Sequence, residues 1–104
     1  MKSAVDVVYR DLESSSALTH TISKKIEKLN RYTDQIVHSR VVLDTPHNHK
    51  HKGKQFRASI EIDINGSAIA VTQDNESIHS AVRDAFNNAE RKIKQLSARQ
   101  RIMH

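Results

Sequence analysis

The chain has no cysteine, no tryptophan, a single proline and only two glycines in 104 residues. Without cysteine there is no disulfide framework, no thiolate metal site and no cysteine nucleophile. Two glycines leave little room for a phosphate cradle of backbone amides, and the chain holds no G-x-S-x-G, Gly-rich phosphate loop or H-E-x-x-H. Aromatic residues make up 4%, too few for the platform of Phe, Tyr and Trp on which single-stranded bases stack. Long apolar runs are missing as well. No stretch approaches the roughly 18 apolar residues of a spanning helix, and the opening MKSAVDVVYRDLE has too short an apolar run for a signal peptide. These absences predict a soluble, cytoplasmic protein with no membrane partner, no small-molecule substrate, no cofactor and no catalytic role.

What the chain does have is positive charge. Lys and Arg total 17 against 12 Asp and Glu, a net +5 with seven His held neutral. The excess sits in the predicted helices and in the loop at 44–54, while the strand-like segments are not basic. That pattern suits a polyanion. A chain of this length predicts one domain, 1–104 with an ordered core of about 4–99, burying roughly 60–65% of its unfolded surface.

The clearest periodicity is in residues 76–99, ESIHSAVRDAFNNAERKIKQLSAR. Ile78, Val82, Ala85, Phe86, Ala89, Ile93 and Leu96 fall on one helical stripe, with Arg83, Asn87, Arg91 and Lys94 opposite. Residues 16–32 repeat the design. Leu18, Ile22, Ile26 and Leu29 form the stripe, Tyr32 lies near its edge, and His20, Lys24, Lys28 and Arg31 stand opposite. Each polar-cationic row is about 16 Å long at the helical rise. One of Ser14, Ser15 and Ser16 is expected to cap the first helix, and Asp74 or Asn75 the last.

Strands are expected over 4–10, 36–43, 55–64 and 67–73. In the first, Val5 and Val7 face one way and Val8 the other. In the third, Phe56, Ala58, Ile60, Ile62 and Ile64 alternate with polar residues, so one sheet face is buried and one is wet. Asn65-Gly66 then signals a tight hairpin. The order β-α-β-β-β-α predicts an α+β two-layer sandwich, a four-stranded sheet with two helices on one face, and its α-β-β-β-α part is dsRBD-like, the core of double-stranded-RNA-binding domains. Both cationic rows then lie on the outer surface of the helical layer and merge if the helices are side by side.

The order of elements, the run Lys25-x-x-Lys28-Leu29-x-x-Tyr32, Ala17-Leu18, Ala81-Val82, Glu90-Arg91 and Ile93 resemble the ribosome hibernation-promoting factor and ribosome-associated inhibitor A family, also called the sigma-54 modulation protein family. The resemblance spans Val5 to about Ser97. It implies a factor that binds the small ribosomal subunit and its rRNA in the channel for mRNA and for A- and P-site tRNA. Such a factor silences idle ribosomes under stress. The cations of the helix faces, Lys24, Lys28, Arg31, Arg83, Arg91 and Lys94, with Lys25 and Lys92 beside the apolar stripes, are the expected rRNA-binding residues. Lys25, Lys28 and Arg91 among them match the family motif, in a chain expected to be monomeric off the ribosome. Charge-based phosphate contacts need no sequence reading. The bland alternative is an ordinary solvated helix face, and Lys25 and Lys92 flank the apolar stripes, where a lysine stem can also cover the core edge.

The chain departs from the family pattern at Asn88 and Gln95, where lysines are usual, although Arg83, Lys92 and Lys94 can compensate nearby. By analogy with the family, the short, dimer-promoting type is expected, without the C-terminal dimerisation domain of long members or the acidic tail of some short inhibitors. Two rival readings are a general duplex-RNA-binding module and a protein-interaction domain that pairs through a sheet edge or the wet sheet face. His47, His49 and His51 alternate in a loop, but no carboxylate or thiolate lies among them and Lys50, Lys52 and Lys54 would repel a cation. No metal is expected there. The loop reads as a solvated segment that touches RNA and gains charge below about pH 6.5. Glu61 and Asp63 read as solvated sheet surface.

Overall fold

A computed structural model describes residues 4–46 and 55–102. The histidines at 47, 49 and 51 lie outside the described residues. Six elements follow in the expected order: β1 (Ala4–Tyr9), α1 (Ser16–Leu29), β2 (Ile36–Asp44), β3 (Phe56–Ile64), β4 (Ser67–Asn75) and α2 (Ile78–Ile102). They form a four-stranded sheet in the order β1-β2-β3-β4. β1 runs parallel to β2, a pairing that requires a crossover, which α1 supplies. The other neighbours are antiparallel.

Both helices cover one face. Ile22 and Ile26 of α1, Val82 and Ile93 of α2, and Val41, Leu43, Ile60 and Ile62 of the sheet are almost wholly shielded from solvent. Ala81, Ala85 and Ala89 are also fully buried and pack α2 onto β3 and β4. Val5, Val7 and Tyr9 turn inward from β1, as the alternation predicts. The Tyr9 hydroxyl reaches the start of α1, donating to the Ser15 carbonyl at 2.9 Å and lying 2.7 Å from Thr19 Oγ1. Asn65 and Gly66 both have positive φ, 44° and 93°, as a tight hairpin turn requires.

Several boundaries differ from expectation. β1 stops at Tyr9 because Asp11 turns the chain with φ 56°. α1 ends at Leu29, not at 32. Asn30, Arg31 and Tyr32 donate their amides three residues back, to Glu27, Lys28 and Leu29, so the last turn tightens and Arg31 leaves the regular helix. β4 runs through Asp74 and Asn75, so neither caps α2. The cap is Ser77, whose hydroxyl lies 3.4 Å from the Ser80 amide and whose carbonyl accepts from Ala81. α2 continues to Ile102, beyond the expected end at 99.

β2 departs most from simple alternation. Ile36 pairs with Ile64 and His38 with Asp63, which leaves Val37 as an extra residue in a bulge, 58% exposed. The bulge resets the parity of the strand. Ile36, Ser39, Val41 and Leu43 all face the core, which puts a serine hydroxyl there with no exposure and no hydrogen-bond partner among the described residues.

The opposite sheet face is wet. It carries Asp6, Arg40, Asp44, Arg57, Glu61, Asp63 and Asp74. His38 Nε2 lies 3.0 Å from Asp6, tying β2 to β1. Arg57 donates from Nε and from a terminal nitrogen to the two oxygens of Asp74, at 2.8 and 3.1 Å. These bonds hold the Asp74 carboxyl below its ordinary pKa, against a smaller opposing effect of burial.

Candidate nucleic-acid interface

α1 starts where Ser15 accepts the Leu18 amide at 3.1 Å. Its flank nearest Thr19 faces β1, so the opposite flank, with Lys25 and Lys28, turns toward α2. Lys28 and Arg31 are exposed, Lys25 is half-buried at the rim of the apolar stripe, and Lys24 is 4.0 Å from Glu27. Lys28 sits in the last turn, where a cation also complements the carbonyl end of the helix.

The end of α1 meets the second half of α2. The Lys94 ammonium stands 4.8 Å from the centre of the Tyr32 ring and 3.5 Å from Glu90. Lys94 therefore joins the two helices as well as adding charge. Arg83 lies on the outer face of α2, 3.3 Å from Asp84. Lys24, Lys28, Arg31, Arg83 and Lys94 are all exposed on the helical layer, and Lys25 is half-buried at its inner edge. The anionic neighbours Glu27, Asp84 and Glu90 are all within four residues in sequence, and Glu90 to Lys94 is a readable i, i+4 pair.

Arg91 and Lys92 turn toward the other flank of α2. Lys92 extends to the sheet and donates to the Ala70 carbonyl at 3.2 Å, the edge-covering role that its position beside the apolar stripe allows. Together with Asn88 and Gln95 they wall a groove of about 360 Å³, closed on its other side by Ala70, Val71, Thr72 and Gln73 of β4. Of the eight sequence-selected cations, Arg91 and Lys92 therefore stand beside β4, apart from the other six on the helical layer. Of the groove's three carboxamides, Asn88 and Gln95 stood out in the sequence only as replacements for the family's usual lysines, and Gln73 had no motif to mark it. Among the described residues no group of three or more His, Cys, Asp or Glu is placed to hold a metal ion, and no helix is long and apolar enough to cross a membrane.

The model of the Sigma 54 modulation protein / S30EA ribosomal protein family matches residues 5–101. The chain belongs to this family. A curated S30EA relative, the ribosome hibernation promotion factor of Deinococcus radiodurans, is 24% identical over 90 residues, which are 86% of this chain and 47% of that protein. The chain thus spans about half the length of that relative. The crystal structure of the Thermus thermophilus Protein Y N-terminal domain superposes with a TM-score of 0.76 at 27% identity, covering 92% of this chain and 99% of that one. A ribosomal subunit interface protein from Coxiella burnetii superposes with a TM-score of 0.74 at 16% identity, over 91% and 98% of the two chains. This second likeness concerns the fold. The S30EA fold is the four-stranded mixed sheet with two helices found here.

Proposed function

We propose that this S30EA domain is a ribosome-associated hibernation factor that acts by occupancy. It binds the small subunit through its cationic helix faces, fills the channel used by mRNA and by A- and P-site tRNA, and silences idle ribosomes under stress. The observation that carries the reading is the set of exposed cations on the helical layer, Lys24, Lys28 and Arg31 at α1 and its last turn with Arg83 and Lys94 on α2, on the side away from the acidic sheet face. Cations spaced along two neighbouring helices can follow a phosphate backbone, and release of counterions supplies affinity without sequence reading. The family membership and the hibernation factor among the relatives support the same partner.

The test is co-sedimentation with purified small and large subunits over a salt series. Stoichiometric binding to the small subunit, weakening steeply with salt, is the expected result. Lys28→Glu with Arg91→Glu lowers the salt slope by about two and the affinity by at least about tenfold. Undiminished binding by the double variant at physiological salt refutes the helix-face model. Displacement by unrelated duplex RNA at matching concentrations replaces it with a general duplex-binding module.

A further inference from the structure

The groove between β4 and α2 contains chemistry that phosphate binding does not use. Gln73 comes from the core-facing side of β4, and Asn88 and Gln95 stand two turns apart on the neighbouring flank of α2. Gln73 and Asn88 are half-buried. None of these three side chains has a hydrogen-bond partner among the described residues. No carboxylate lines the groove, whereas Arg91 and Lys92 do.

β4 adds a row of backbone groups. The two-residue turn makes Ile64 and Ser67 a hydrogen-bonded pair, so alternate residues from Ser67 bond to β3. Ala68, Ala70, Thr72 and Asp74 consequently direct their amides and carbonyls outward, and Lys92 confirms that direction by reaching the Ala70 carbonyl. An added polypeptide strand needs that central acceptor, and Lys92 occupies it. Strand addition is therefore the weaker use of this edge.

A carboxamide presents a donor and an acceptor side by side, the pattern carried by a nucleobase edge. Asn and Gln pair with adenine in this bidentate way. An arginine plane can stack on the same base, and a lysine can hold its phosphate. The groove volume lies within the range of small-ligand sites. We infer that the β4–α2 groove is a subsite for one unpaired RNA nucleotide, with its base edge held by Gln73, Asn88 and Gln95 and its phosphate by Arg91 and Lys92. The inference rests on the ribosome-binding reading above and adds base recognition to it.

The experiment compares the full chain with the Asn88→Ala/Gln95→Ala variant on purified small subunits. Affinity is measured across salt, and rRNA bases are probed with dimethyl sulfate. The substitutions remove no charge, so the expected result is about tenfold weaker binding with an unchanged salt slope. One or a few bases protected by the wild-type chain become reactive again in the variant complex. Thermal melting of the free variant reads its fold directly, and both positions lie on the surface of α2. A variant with wild-type affinity and the same protections overturns the subsite, as does a wild-type complex that protects no base edge. Both outcomes leave the ribosome-binding reading standing. Failure of the wild-type chain to bind the small subunit at low salt removes that reading and the subsite together.

Discussion

Replacing Ser39 with alanine deletes one oxygen from the middle of the sheet. The residue is fully buried, between Val5 on β1 and Ile62 on β3, and its hydroxyl has no partner among the described residues. A buried hydroxyl without a hydrogen bond costs about 1–3 kcal/mol of desolvation. Alanine removes that penalty and gives back part of the gain by leaving a void smaller than a methyl group. The net expectation is a stabilisation of about 1 kcal/mol. For a domain of this size that raises the melting temperature by about 4–8 °C. Urea titration monitored by circular dichroism should move the midpoint upward at unchanged slope, since the surface exposed on unfolding hardly changes. A fall in melting temperature of several degrees refutes the reasoning. It would mean that the hydroxyl makes a bond worth more than its desolvation and that the bulge at Val37 exists to place it.

Tyr9→Phe removes the hydroxyl that joins β1 to Ser15 and Thr19, and should cost about 1 kcal/mol in the same titration. Gly66→Ala places a side chain at φ 93°, where an added Cβ meets no atom within 4 Å, so backbone strain alone sets a cost of about 1 kcal/mol or more. Asp74 has a lowered carboxyl pKa, and its contribution to stability is present above the unfolded value of 3.8 and is lost as acid protonates it below that. The Arg57–Asp74 pair is more than a third exposed on both sides, so Asp74→Asn should cost less than about 1 kcal/mol at pH 7 and progressively less as the pH falls below 3.8, a trend checked by melting across that range.

The helices and β3 were legible because their periodicity is strict. Leu18, Ile22, Ile26 and Leu29 name one face of α1 without ambiguity, and Phe56 to Ile64 alternates through its whole length. β2 was not legible at that level. Ile36 and Val41 lie five residues apart, on opposite faces of an uninterrupted strand, and only pairing with β3 reveals that Val37 bulges out. The caps of α2 were misplaced for a related reason. Asp74 is a good capping residue by type, but Arg57 on the neighbouring strand holds it in the sheet and leaves Ser77 to cap. At the candidate interface, spacing identified the cationic faces. It could not tell that Lys92 reaches across to β4 or that Lys94 rests on Tyr32, because those neighbours are distant in sequence.

The wet sheet face has five carboxylates, Asp6, Asp44, Glu61, Asp63 and Asp74, against Arg40 and Arg57, while the helical layer has the opposite excess. A domain divided in this way has a permanent electric moment running from sheet to helices. In the field of a polyanion it experiences a torque as well as an attraction, and it turns its helices forward before any atom touches. Orientation is thereby settled during diffusion, and fewer encounters are wasted on the wrong face. A chain with the same net charge scattered evenly would be attracted as strongly and would have to find its orientation by repeated collision.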